Sequence, residues 1–183
     1  MSNYEQKEYK VFELFSHQMA LVTAGDLGHF NGCTIGWGSL GNIWGKTGVV
    51  TVYVYPSRYT CEFLKANDTF TVTFFPEEYR AALGYMGSHS GRDGDKAKAA
   101  GLTPVSFGES VGYREAELTF LCKKLYQHEF AKEDLDKDIC EYYQASPKVY
   151  PPDANGDWQT HLMFVGEIIE VDDKRQSSQG GKK

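Results

Sequence analysis

The sequence has no cysteine pair. Its four cysteines, Cys33, Cys61, Cys122 and Cys140, are widely spaced and none belongs to a C-x-x-C, which removes the zinc-finger and thioredoxin-like readings. A long apolar run is also missing. The stretch Val49–Val54, with Thr51 inside it, is far too short to cross a bilayer. Positive charge is scarce, with 19 Lys+Arg against 25 Asp+Glu and a net charge of −6. That balance argues against a nucleic-acid partner, where phosphate neutralisation dominates affinity. It argues equally against an anionic membrane surface. The opening residues MSNYEQKEYK contain no apolar segment of the secretory kind. Together with unpaired thiols, this predicts a cytoplasmic protein.

What is abundant is aromatic and glycine. Aromatic residues make up 14% of the chain, and eight of its 19 glycines fall between Gly25 and Gly48. The first feature favours strands; the second favours bends or close approach of a ligand to the backbone. A chain of 183 residues buries roughly 70% of its unfolded surface and needs no disulfide or metal to hold a core.

The pattern predicts an N-terminal arm over 1–17, one domain over 18–171 and a disordered polar tail over 172–183. Within the arm, Met1–Lys10 reads as loose and Val11–Phe15 as a cover for one end of the core. Strands are expected at Gln18–Thr23, Phe30–Ser39, Val49–Tyr55, Thr69–Phe75, Ala116–His128 and His161–Val171. The long strand at 116–128 would put Ala116, Leu118, Phe120 and Cys122 on one face. Short helices are expected at Arg58–Ala66, capped by Ser57 and ended by a left-handed Asn67, and from Pro76 to Tyr85. A further helix would run between an Asp93 cap and Gly101. Glu133–Tyr143 reads as helical or irregular, and Pro147–Asp157 as a loop. The fold class is therefore mainly β, a barrel of mostly antiparallel strands with short α-helices on its outside.

Two familiar patterns fail on context. Gly36-Trp37-Gly38-Ser39-Leu40-Gly41 spells G-x-G-x-x-G, with Glu62 further on, but a strand begins at Val49 and no crossover helix fits. Gly45-Lys46-Thr47 ends like a P-loop, yet Leu40 stands where that pattern needs glycine, and again a strand follows.

Three segments carry chemistry. Pro56-Ser57-Arg58-Tyr59-Thr60 follows a strand and opens a helix. Arg58 can grip a phosphate with two N–H donors, and Ser57 and Thr60 add hydroxyls. Ser88–Lys96 offers hydroxyls and two cations, with Asp93 and Asp95 as caps or as partners of Arg92 and Lys96. Asn31–Trp37 brings backbone amides and a tryptophan to a groove, where glycine permits close approach of a flat ligand.

The blocks NGCTIGWGSLGNIWGK, VYPSRYTCEFLKANDTFTV, ALGYMGSHSGRDGDKAKAAGLTP, EAELTFLCKKLYQ and HLMFVGEI resemble, in order, the flavin reductase family, which includes flavoredoxin-like proteins. The resemblance covers nearly everything from Gln18 to Val171 except Lys132–Gln159. It implies the FMN-binding split β-barrel and FMN as cofactor. By that likeness Asn31, Cys33, Thr34, Ile35, Gly36 and Trp37 would line the flavin ring. Ser57, Arg58 and Thr60 would take the phosphate, with Ser90 and Lys96 closing over it, and His161 would lie near the nicotinamide or substrate. Cys33 stands where a smaller residue is expected and Thr47 where proline is common.

The resemblance further implies an oxidoreductase that moves hydride and electrons from NAD(P)H through FMN to a flavin, metal or protein acceptor. No acid–base residue is required for that transfer, so no catalytic residue is assigned. The alternatives are a flavoredoxin-type electron-transfer protein reduced by a protein partner, or a non-redox flavin-binding protein. A homodimer is expected, with neither nucleic acid nor membrane as partner.

Overall fold

The computed structural model describes residues 3–175. In chain order, its strands are β1 (Ala20–Asp26), β2 (His29–Ile35), β3 (Gly38–Ile43), β4 (Lys46–Val54), β5 (Thr69–Phe74), β6 (Pro104–Phe107), β7 (Ser110–Tyr113), β8 (Leu118–Glu129) and β9 (Leu162–Asp173). Its α-helices are α1 (Val11–Glu13), α2 (Thr60–Ala66), α3 (Arg80–Ser88), α4 (Lys96–Ala99) and α5 (Lys137–Gln144). Seven strands form one antiparallel sheet in the order β2-β1-β5-β8-β9-β4-β3. The expected mainly-β class with a few short helices is the observed one.

The sheet curls around its main core. Cys33 and Ile35, from the β2 edge, share one apolar cluster with Val50, Val52 and Val54 of β4, next to the opposite edge. Alternation explains this: on β5, Phe70, Val72 and Phe74 enter that cluster, while Thr69, Thr71 and Thr73 face the other way. Those threonines are also buried, because the β6–β7 hairpin covers them. Thr71 Oγ1 donates to Val111 O at 2.6 Å, and Thr23 Oγ1 meets Tyr113 Oη at 3.1 Å. A second cluster, including Leu21, Phe75, Leu83, Met86 and Tyr113, seats α3 and α4 on the outside of the sheet.

Several elements differ from the sequence expectation. The N-terminal arm is docked, not loose. Tyr4 donates to Ile168 O at 3.2 Å, Tyr9 packs on Phe120 at 5.4 Å, and Lys7 pairs with Asp173 at 3.0 Å. Val11–Phe15 does cover the core, with Leu14 and Phe15 buried. The expected tail loses its first residues to structure. β9 runs on to Asp173, which is also held by Arg175 at 2.9 Å; the remainder, 176–183, lies outside the described residues.

Ser57 does not cap α2, which starts at Thr60 with Tyr59 in the cap position. Asn67 is extended, φ −110° and ψ 147°, and ends the helix instead through its side-chain amide, which donates to Phe63 O at 2.9 Å. The cap of α4 is Asp95 rather than Asp93, accepting from the Lys98 amide at 3.0 Å. Ala116 packs in the second cluster, apart from Leu118, Phe120 and Cys122 in the first.

The expected strand Phe30–Ser39 is two strands, β2 and β3. The β3–β4 turn places Trp44 at φ 53° and Gly45 at φ 69°, the paired left-handed positions of a two-residue hairpin. The G-x-G-x-x-G stretch therefore lies in a bend and an edge strand, with no helix after it. Gly38 is required there: a Cβ at that position would sit 2.2 Å from the Phe15 ring.

Candidate functional site

The two cation-bearing segments meet. Ser57, Arg58, Tyr59 and Thr60 form one wall of a cavity of ≈ 110 Å³, and Met86–Ser90 with Lys96 form the other. Cys33 of β2 also lines it. A larger cavity of ≈ 730 Å³ lies under the N-terminal arm, lined by residues such as Tyr4, Leu40 and Phe120, and none of the candidate side chains line it.

A helix end is not what makes the small cavity anion-friendly, since α2 has only seven residues. Its side chains do. Lys96 is 7% exposed, and its ammonium donates to Met86 O at 3.0 Å and His89 O at 3.1 Å. An ammonium has three donors, so one N–H remains for a group in the cavity. Burial lowers the Lys96 pKa, as does the neighbouring Arg58 charge, while Cys33 opposes them. Arg58 is exposed, and among the described residues its guanidinium makes no hydrogen bond or ion pair. Thr60 is fully buried, and its Oγ1 accepts from Asn31 Nδ2 at 2.7 Å. Ser90 Oγ accepts from the Arg92 amide at 3.2 Å.

Asp95 takes the capping role the sequence suggested, while Arg92 takes a partner other than the aspartates. Arg92 pairs with Glu62 and lies over the Tyr59 ring at 4.4 Å, tying the second segment down onto the first. Gly91 makes this closure feasible, because a Cβ there would sit 2.0 Å from Asn31 Oδ1.

Burial pushes the Cys33 thiol pKa up, against smaller lowering by Thr60, Lys96 and Arg58. It is a neutral thiol, a filler rather than a nucleophile. Not all of the Asn31–Trp37 segment faces this cavity. The Thr34 hydroxyl donates to Leu83 O of α3 at 2.6 Å, and Ile35 packs in the main core. Gly36 has Phe15 O and Met19 Cε as its nearest Cβ neighbours, at 3.6 and 3.9 Å.

Trp37 belongs to a second group of side chains. Its ring, 41% exposed, lies 4.5 Å from His161 and 6.3 Å from both Tyr142 and Tyr150. His161 is 7% exposed, and its Nδ1 is 2.7 Å from the Tyr143 hydroxyl. Burial, followed by the Arg58 charge, lowers the His161 pKa to about 4, so the imidazole is neutral at pH 7. The same Arg58 charge acts on Tyr150, Cys33 and Lys96. Arg58 thus stands between the anion cavity and the aromatic group. Sequence reasoning missed Tyr142, Tyr143 and Tyr150. Their one signal was the density of tyrosine at 142–150 in a segment with no strand pattern.

A curled antiparallel sheet thus carries a small cavity lined by Arg58 and Lys96, with a cluster of aromatic side chains around His161 nearby. A family model, the flavin reductase like domain, matches residues 12–180. The chain belongs to that family. No curated protein matches the sequence significantly. Among solved structures, the flavoredoxin of Methanosarcina acetivorans superposes with TM-score 0.64 at 23% identity, covering 93% of this chain and 75% of the other. An FMN-binding protein of Thermus thermophilus with bound 1-cyclohex-2-enone gives 0.63 at 20%, covering 95% and 81%. An NADH:FAD oxidoreductase of Streptomyces globisporus gives 0.60 at 17%, covering 85% and 74%. At these identities the likeness shows a shared fold.

Proposed function

We propose that the protein binds FMN and works as a flavin reductase-like oxidoreductase. The observation that carries this reading is Arg58. An unpaired guanidinium at the rim of a cavity that already holds a buried ammonium is an unfinished anion site, and its field also reaches the aromatic groove. Phosphate is an anion of suitable size for a cavity of ≈ 110 Å³, and one such cavity suits a mononucleotide.

Arg58, Lys96, Thr60, Ser57 and Ser90 hold the phosphate; the stretch from Asn31 to Trp37, along β2 and into the bend after it, carries the ring with His161. When bound, FMN supplies hydride and electron transfer from NAD(P)H to a flavin, metal complex or protein acceptor. The chain supplies binding, orientation and the surrounding field. Arg58 and Lys96 neutralise the phosphate charge, and Trp37 and His161 shield the ring from water. Supporting the donor and acceptor classes are the flavoredoxin and NADH:FAD oxidoreductase named above.

The site works in a homodimer, a reading supported by the exposure of Trp37, Ile43 and Trp44. Four free cysteines fit a reducing, cytoplasmic setting. No helix among the described residues is long and apolar enough to cross a membrane.

Stopped-flow mixing of the FMN-loaded protein with NADH and with NADPH tests the enzymatic reading. Rapid bleaching of the flavin band by either supports it. Bleaching only with a reduced protein partner would assign the flavoredoxin-type role, and no bleaching at all the non-redox one.

A further inference from the structure

The contact between Tyr143 and His161 has a consequence for the chemistry of the groove. Tyr143, on α5, is 4% exposed, and its hydroxyl is 2.7 Å from His161 Nδ1. A phenol is the stronger donor of such a pair and a neutral imidazole nitrogen the stronger acceptor, so the O–H donates to Nδ1.

A neutral imidazole that accepts at Nδ1 carries its proton on Nε2. Among the described residues Nε2 has no hydrogen-bond partner. Among the described residues, the side-chain polar atoms buried without a partner are the hydroxyls of Tyr9, Thr73 and Ser110, and His161 Nε2 is not one of them. Nε2 is therefore reached by solvent, beside the half-exposed Trp37 ring. Packing holds the ring in place, with Trp37 at 4.5 Å, Tyr55 at 5.3 Å and Tyr150 at 5.4 Å.

We propose that Tyr143 is a positioning residue that locks His161 in the Nε2–H tautomer, so that His161 presents a fixed, uncharged hydrogen-bond donor to a carbonyl oxygen of the flavin ring in the groove. The identity of that acceptor rests on the FMN reading; the tautomer does not. α5 lies in the segment 132–159, outside the sequence blocks that carry the family resemblance.

The test is the ring ¹⁵N spectrum of His161 in wild type and Tyr143→Phe, without ligand and with FMN or riboflavin. Wild type shows a protonated Nε2 and an unprotonated Nδ1, and Tyr143→Phe shows a mixture of tautomers. Flavin binding shifts the Nε2 resonance. Tyr143→Phe weakens FMN and riboflavin equally, by about two- to tenfold, the size of one neutral hydrogen bond. A proton on Nδ1 in wild type would overturn the proposal, as would an unchanged tautomer in the variant. The wild-type spectrum decides this even if the variant fails to fold. If wild type takes up no flavin, the functional reading falls and the tautomer result still stands. Flavin binding that leaves Nε2 unmoved would remove the donor role.

Discussion

Asn31 donates its side-chain amide to Thr60 Oγ1 at 2.7 Å with both residues buried, joining β2 to the first turn of α2. This bond fixes β2 against the turn that carries Ser57 and Arg58. Thr60→Val removes the acceptor and strands a buried donor, a loss of about 1–3 kcal/mol. For a domain of this size each kcal/mol is worth roughly 2–4 °C in Tm. Thr60→Ser, which keeps the hydroxyl, should stay close to wild type. Thermal unfolding of the two variants checks this.

Glycine requirements at the β2–β3 bend and the start of β3 are uneven. Gly38→Ala drives a Cβ into the buried Phe15 ring, whereas a Cβ at Gly36 meets only ordinary contacts beyond 3.5 Å. Overpacking of this kind costs roughly 1–3 kcal/mol. Chemical denaturation should show Gly38→Ala destabilised and Gly36→Ala near neutral.

The buried imidazole sets an acid limb on stability. His161 titrates near pH 4 in the folded protein, against 6.5 as its ordinary value. Between these two values the unfolded chain binds more protons, so stability rises with pH there. It is fully present above about pH 6.5 and lost as pH falls to 4, by up to about 3 kcal/mol. Asp173, whose pKa the Arg175 and Lys7 hydrogen bonds hold at about 2 against the opposing effect of burial, acts only below pH 3.8. Denaturation midpoints at pH 7, 5.5 and 4.5 should therefore decline in wild type and decline less in His161→Phe.

Much of this architecture is legible in the sequence because it is local. The Val and Thr/Tyr alternation of β4 and the phase of Phe70, Val72 and Phe74 declare strands and their inward faces. The β6–β7 hairpin stays hidden because each arm has only four residues. The β3–β4 turn stays hidden because Trp44 occupies a position where Asn or Asp would announce it. The cation and hydroxyl segments at 57–60 and 88–96 show themselves by residue type. Their meeting through Asn31, Gly91 and the Arg92–Glu62 pair is a tertiary fact with no local trace. The same holds for Tyr143, which reaches His161 across 18 residues, beyond any helical or strand period.

Arg58 and Lys96 also separate by experiment. Lys96 is buried and holds two carbonyls of the α3 end, so Lys96→Ala should lower both thermal stability and FMN affinity. Arg58 is exposed and unpaired, so Arg58→Ala should leave the apo-protein's Tm near wild type.

Calorimetric titration of FMN and riboflavin into wild type and Arg58→Ala at one ionic strength tests the central claim most directly. A charge-assisted hydrogen bond is worth roughly 1.5–3 kcal/mol, and each ~1.4 kcal/mol is tenfold in affinity. Arg58→Ala should weaken FMN about ten- to a hundredfold and leave riboflavin, which has no phosphate, nearly unchanged. Equal losses for the two ligands, or no FMN binding to wild type, would contradict the assignment of this cavity to the phosphate of FMN.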